Sequence, residues 1–265
     1  MQKIIELHNI VRSHELPIVI CGVKINNVSM IEALSIIEVM IMKRKPAFVV
    51  TPNVDHIVRL QKDKEFKSIY NNASLILPDG VPILWAAKYL KSPLKEKVSG
   101  SDLFLKLLEL SAKKGYKIYI LGGKVGAAKK VIETAFKNYP TIKIVGIYCP
   151  NYGFESNVDE NKKIIQEIKE SKADILFVGL GSPKQEKWIY DFKNQYDVPV
   201  SIGIGASIDF YAGVLKRAPK WMQQIGLEWF WRLSMEPARL WKRYLIQDPL
   251  FFWLVLRQGI GKYER

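Results

Sequence analysis

Ile175-Leu176-Phe177-Val178-Gly179-Leu180-Gly181-Ser182-Pro183-Lys184-Gln185-Glu186 is the stretch that decides the fold. A short apolar run enters a glycine-rich loop. A helix start follows, with Pro183 at the first helical position and Glu186 in the first turn. This is how a buried strand hands over to a helix. The same unit recurs along the chain. Apolar runs at 18–25, 47–51, 75–77, 117–121, 143–147 and 200–202 read as further strands. Amphipathic segments separate them: Met30–Lys43 capped by Ser29, a helix capped by Ser101 or Asp102 and ending before Gly115, then 125–138, Val158–Ser171 and 183–194. Alternation of this kind predicts an α/β fold. We expect a Rossmann-like, doubly wound, largely parallel sheet with helices on both faces, spanning residues 1–210.

Residues 211–265 follow a different pattern. No strand signal returns after 213. Pro219 opens a helical segment through Ser234, Pro237 interrupts it, 238–247 follows, and Asp248-Pro249 reads as an N-cap and first-turn pair starting a last helix. Five of the seven tryptophans fall here, interleaved with basic residues from Lys216 to Arg265. Arg239, Lys242 and Arg243 share one helical face, and Trp241, Tyr244 and Leu245 share another. Aromatic rings beside basic heads suit an anionic lipid surface. The longest strongly apolar stretch in the tail, 250–256, is far short of the ~20 residues that a spanning helix needs. Residues 1–15 contain no continuous apolar segment of the signal-peptide kind. The expectation is a C-terminal helical, membrane-docking appendage on a cytoplasmic protein, peripheral on the inner face of the cell membrane.

The whole chain carries a formal charge of +14, which calls for an anionic partner: nucleic acid, phospholipid or a phosphorylated substrate. With 48% hydrophobic and 25% charged residues in 265, it is globular, not disordered. Cys21 and Cys149 form no CxxC pattern, and His8, His14 and His56 have no metal-ligand spacing, so no metal site is expected.

Polar clusters follow five of the strand runs, and in open α/β sheets ligands bind beyond the carboxyl ends of the strands. They are Thr51-Pro52-Asn53-Val54-Asp55, Pro78-Asp79-Gly80, Gly122-Gly123, Gly179 to Glu186, and Gly203-Ile204-Gly205-Ala206. The Gly122-Gly123-x-x-Gly126 loop opens a helix and can turn backbone amides toward a phosphate; it reads equally as a tight turn. A dinucleotide enzyme also wants an acid at the end of the next strand, but that strand ends Val145-Gly146-Ile147-Tyr148. Asp79 can accept a proton from a sugar hydroxyl, or else cap the helix that begins at Val81. Asp55, Asp102 and Asp209 are rival bases. No Asp-x-Asp pair exists to hold a divalent metal on a diphosphate, so basic side chains would have to neutralise a leaving group, with Lys97, Arg217 and the tail arginines as candidates. Gln185 is placed to hydrogen-bond a base or sugar.

Further motifs complete a recognisable set. Thr51-Pro52-Asn53, Pro78-Asp79-Gly80, Gly100-Ser101-Asp102 and Gly181-Ser182-Pro183-Lys184-Gln185-Glu186 come first. Arg217-Ala218-Pro219, Gly226-Leu227-Glu228-Trp229, Arg232, Glu236-Pro237 and Arg239 follow in the tail. Over roughly residues 18–245 the chain resembles the WecG/TagA/CpsF glycosyltransferases, glycosyltransferase family 26. The resemblance implies inverting, metal-independent transfer of a sugar from a UDP-sugar to a membrane-anchored polyprenyl-diphosphate saccharide. In members that build teichoic acid linkages the donor is UDP-N-acetylmannosamine. It implies Asp79 as general base and places Thr51, Asn53 and Gln185 in the pocket. Ser101 and Asp102 of the Gly100-Ser101-Asp102 motif, and Gly122 and Gly123 of the glycine loop read above, are assigned to the same substrate cleft. It also implies that the C-terminal appendage docks on the membrane and lends arginines to the site, here Arg217, Arg232, Arg239 and Arg243. Where many relatives have arginine, this chain has Lys97, which keeps the charge but loses the bidentate fork. The tail looks closer to the exopolysaccharide or common-antigen branch, which leaves the donor sugar open.

The reading is therefore a UDP-sugar-dependent transferase with no cofactor, a possible homo-oligomer, with no nucleic-acid partner expected. Its rivals are a basic nucleic-acid-binding protein, whose aromatic tail could stack bases, and a nicotinamide-dependent oxidoreductase, weakened by the missing ribose acid.

Overall fold

Strands buried on both faces need near-continuous apolar runs, and 47–50, 117–122, 175–179 and 200–203 supply them, with Lys117 and Ser201 as exceptions. In the computed structural model, which describes residues 17–124 and 126–263, they form the centre of one parallel sheet. Residues 1–15 with His8 and His14, the expected helix start at Val125, and Arg265 lie outside the described residues. The sheet contains β3 (Ala47–Val50), β4 (Leu75–Ile76), β5 (Lys117–Gly122), β6 (Lys143–Tyr148), β7 (Ile175–Gly179) and β8 (Val200–Gly203). Their order is β4-β3-β8-β7-β5-β6, and every neighbouring pair is parallel. Successive side chains alternate between two cores. Phe48, Val50, Leu176 and Val178 enter one, and Val49, Ile175, Phe177 and Ile202 the other.

Helices cover both cores: α1 (Met30–Lys43), α2 (Val54–Leu60), α3 (Lys64–Asn71), α4 (Val81–Tyr89), α5 (Gly100–Lys114), α6 (Ala127–Asn138), α7 (Val158–Ser171), α8 (Lys184–Phe192) and α9 (Ser207–Tyr211). Ser29 closes a full capping box with Glu32, as its spacing predicts. Three local expectations need correction. The run 18–25 is not one strand but an antiparallel hairpin, β1 (Ile18–Ile20) and β2 (Val23–Ile25), outside the main sheet. Its two-residue turn has positive φ at Cys21 and Gly22, which matches the twist of the flanking strands. Helix α5 is capped by Ser99, whose Oγ accepts from the Asp102 amide at 3.2 Å, and not by Ser101 or Asp102. Pro183 occupies the N-cap position, so α8 starts one residue later than expected. Helices α2 and α3 were absent from the sequence reading; Asn53 and Asp63 cap them.

The C-terminal residues form α10 (Lys220–Gln224), α11 (Glu228–Met235), α12 (Pro237–Lys242), a π-helical turn (Arg243–Gln247) and α13 (Leu250–Tyr263). The single helix expected over 219–234 is broken at Gly226, φ +79°, where the backbone lies against Val81 and Trp85 and a Cβ would come within 3.2 Å of each. Asp248 is not an N-cap: its backbone is helical, and its carboxylate faces Arg243 instead. Helix α13 packs on the first core through Phe251 and Val255. Gln258 ties it to the hairpin, accepting from the Cys21 amide at 2.6 Å and donating to the Val19 carbonyl at 2.8 Å.

Candidate active site

In a parallel sheet all carboxyl ends point one way, so the loops after them converge. Here the loops after all six strands line one cleft of about 1480 Å³, and α11, α12 and the π-helical turn form its remaining wall. Of the residues singled out from the sequence, Thr51, Asn53, Asp79, Lys97, Ser101, Gly122, Gly123, Gln185, Arg232, Arg239 and Arg243 line it. Asp102 and Arg217 do not. They pair with each other at 2.8 Å, and the Arg217 Nε lies 3.8 Å from Glu228, a cleft residue.

Asp79 stands three residues past the end of β4. Its amide donates to the Pro52 carbonyl at 2.9 Å, which joins the β4 loop to the β3 loop. Its Oδ2 accepts from the Gly100 amide at 3.2 Å, at the start of α5. Asp79 therefore does not cap its own helix: Gly80 holds the α4 N-cap position at φ +116°, with no side-chain cap. Burial pushes the Asp79 carboxyl up to about 7, and Glu228 and Asp102 add to this, while the Gly100 amide and Lys97 oppose it. A carboxylate poised near neutrality suits proton abstraction. The rival carboxylates are otherwise engaged. Asp55 pairs with Arg59 at 3.3 Å and Arg243 at 3.6 Å. Asp102 is desolvated, yet the Arg217 and Ser99 hydrogen bonds and the Arg217 and Lys97 charges hold its carboxyl below its ordinary value. Asp209 accepts from the Lys124 amide at 2.9 Å and so fixes the Gly122-Gly123 loop.

That loop has a reason for its glycines. A Cβ at Gly122 would come within 2.4 Å of the Gly179 carbonyl, and Gly123 has φ +89°. Gln185 is buried. Its Oε1 accepts from the Gly205 amide at 2.9 Å, and its Nε2 donates to the buried Glu186 carboxyl at 2.7 Å. Gln185 thus clamps the β8 loop onto α8. Burial raises the Glu186 pKa, despite the hydrogen bond from Gln185, and its Oε2 has no hydrogen-bond partner. Asn53 caps α2 and also accepts from the Arg243 Nη2 at 3.3 Å.

The tail cations are not one uniform basic face. Arg239 makes a two-point pair with Glu236. Arg243 is held at the cleft wall, partly buried, between Asp55 and Asp248. Lys242 stays exposed, over the ring of Trp241. The Arg232 guanidinium has no hydrogen bond or ion pair among the described residues and lines the cleft. Burial holds the His56 pKa down to about 3, and its Nδ1 lies 3.2 Å from the Tyr70 hydroxyl. Among the described residues no group of three or more His, Cys, Asp or Glu side chains could hold a metal ion. The sequence reading missed one cleft wall, Pro150 to Glu155 after β6, although the strand-end rule that picked out the other loops covers it.

The model of the WecG/TagA/CpsF family of glycosyl transferases matches residues 18–265. The chain belongs to this family. Among its relatives is a Bacillus subtilis (strain 168) N-acetylglucosaminyldiphosphoundecaprenol N-acetyl-beta-D-mannosaminyltransferase, 33% identical over 216 residues, 82% of this chain and 81% of that one. The enzyme of the same name from Staphylococcus aureus (strain MW2) is 30% identical over 254 residues, 93% of this chain and 94% of that one. Membership in a WecG/TagA/CpsF glycosyl transferase family decides against the nucleic-acid-binding and oxidoreductase readings.

Proposed function

We propose that this glycosyl transferase moves a hexose of the N-acetylmannosamine type from a UDP-sugar to a polyprenyl-diphosphate-linked saccharide, with inversion, in cell-surface polysaccharide or teichoic acid linkage synthesis. The observation that carries this reading is Asp79: a carboxylate in the cleft, held by the Gly100 amide and raised to about 7. The acceptor hydroxyl oxygen forms a bond to the anomeric carbon as the bond from that carbon to the donor diphosphate breaks. Asp79 takes the hydroxyl proton, and the electron pair leaves with UDP. Amides of the Gly122-Gly123 loop and the Arg232 guanidinium take up the departing charge, and Lys97 adds a further cation on the cleft lining, so no divalent metal is called for. Thr51 and Gln185 shape the pocket, the latter by holding the β8 loop. Asp102 and Arg217 act from behind the wall, by setting Glu228 and Lys97.

In this reading the sheet is a doubly wound Rossmann-like core, and residues 211–265 are the appendage that meets the membrane. No helix of the described residues is long and apolar enough to cross a membrane. The tail instead exposes Trp221, Phe230, Trp241, Leu245, Ile246 and Trp253, a surface suited to the headgroup layer on the cytoplasmic side. The test offers polyprenyl-diphosphate saccharides with a panel of UDP-sugars, with and without EDTA, and reads products by mass. Transfer of one hexose, undiminished by EDTA, is expected. Hydrolysis of the donor without transfer, or activity lost in EDTA and restored by magnesium or manganese, would overturn the corresponding half of the proposal.

A further inference from the structure

Pockets for one small ligand run about 300–1,000 Å³, and this cleft has about 1480 Å³. Its lining includes an apolar mouth as well as the polar strand ends. The strand ends supply polar groups, whereas α4 and the C-terminal helices place Trp85, Trp229, Leu245 and Phe252 on the lining, all between 37% and 56% exposed. The apolar surface does not stop at the mouth. Tyr89 follows Trp85 one turn along α4, and Leu256 and Ile260 follow Phe252 at four-residue steps along α13. All three are at least half exposed. The two rows lie side by side: the Tyr89 ring rests on Gly259, where a Cβ would come within 2.6 Å of it. Both helices therefore begin at the cleft and run away from it together, for about 12 Å from Phe252 to Ile260.

We propose that this strip seats the first isoprenoid units of the acceptor as its chain leaves the diphosphate in the cleft. The inference rests on the polyprenyl acceptor of the proposed function and adds where the chain runs. A diphosphate joined to a hydrocarbon chain has to enter a polar cleft while its chain stays off the polar wall. A chain laid across Asp79, Lys97 or Arg232 would strip water from charges without pairing them. The strip is continuous with the cleft, carries no charged side chain along its Phe252-Leu256-Ile260 row, and ends beside the exposed tail surface that faces the membrane in the proposed function.

The test uses the full-length enzyme in buffer without vesicles or detergent. Two soluble acceptors carry the same diphosphate saccharide, one esterified to a methyl group and one to a two-unit isoprenoid. The wild-type enzyme is expected to show about a tenfold lower KM for the isoprenoid acceptor. In Trp85→Ser, Tyr89→Ser and Phe252→Ser that preference shrinks to about twofold, with the change in KM and not in kcat, and Phe252→Leu restores it. Equal KM values for both acceptors in the wild type overturn the proposal. So does an equal rise for both acceptors in the variants, which marks a purely structural role. A second arm gives the same variants acceptor embedded in anionic vesicles; a loss confined to that arm assigns the strip to bilayer docking and also overturns the proposal. If the wild type transfers sugar to neither acceptor, the proposed function itself fails, a result distinct from transfer without chain preference.

Discussion

At the ends of β3, β7 and β8 polar side chains have fixed partners: Asn53 caps a helix, Gln185 clamps a loop, and Asp209 holds the glycine turn. Across the cleft, α11 has no buried residue at all, and Trp229, Phe230, Trp241, Leu245 and Ile246 are exposed. In the proposed function the first wall holds dipoles that need no rearrangement when charge develops on a leaving group. The second offers area without partners, which suits something that arrives from outside. Side chains of the C-terminal helices cross the divide. Arg243 reaches from the π-helical turn to Asn53 and Asp55, and Phe251 enters the core behind α4.

The contrast breaks first at Asp79. Asp79→Asn keeps an acceptor for the Gly100 amide but removes the base. Turnover is expected to fall ~10²–10⁴-fold with UDP binding retained. In the wild type, kcat/KM should rise with pH through about 7, because the base must be ionised and its carboxyl sits there. Turnover near the wild-type level, or a pH limb that survives in Asp79→Asn, would remove Asp79 from this role.

Phe251→Ala tests whether the last helix belongs with the sheet. The ring is 0% exposed within the first core. Its loss should cost about 3–5 kcal/mol of unfolding free energy, measured by urea denaturation. A cost below about 1 kcal/mol would return α13 to a loosely attached tail.

The Arg243 cluster sharpens the comparison through pH. Burial raises the Asp248 carboxyl to about 7, against the favourable charges of Arg243 and Arg59. The folded chain therefore holds that proton more tightly than the unfolded chain. Stability present at low pH is lost as pH rises from about 4 to about 7. Asp248→Asn should flatten this part of the stability profile by about 2 kcal/mol, after allowance for solvent screening at the edge of the cluster. Thermal denaturation of both proteins across that window measures it; parallel profiles would refute it.

The smallest effect is expected at Lys242, the cation of its trio left exposed and without an acidic partner among the described residues. Lys242→Gln should weaken binding to anionic vesicles by about 1 kcal/mol, roughly fivefold, and less in high salt. Co-sedimentation shows it. An effect that does not fade with salt would point to packing with Trp241 instead.

Much of the strand-end wall of the cleft was legible because it depends on local chemistry. Apolar runs at 47–50 and 175–179 are strands wherever they occur in a buried parallel sheet, and the loops after them must share one edge. That alone collects Thr51, Asp79, Gly122 and Gln185. The hairpin at Cys21-Gly22 was misread because an apolar run hides a two-residue turn unless φ is known. Helix α2 was overlooked because its buried Asp55 and His56 mask the apolar periodicity.

The sequence by itself determined the alternating strands and helices, the strand-end clusters and the aromatic, basic tail, since each follows from periodicity, turn residues and charge within a few positions. Only the tertiary structure decided which charges are free to act. Asp102 and Arg217 are 115 residues apart and consume one another. Arg243 leaves the neighbouring Lys242 to meet Asp55, far back in the chain. An ion pair or a desolvated carboxylate is a property of distance and dielectric, and neither is written in the spacing of residues along the chain.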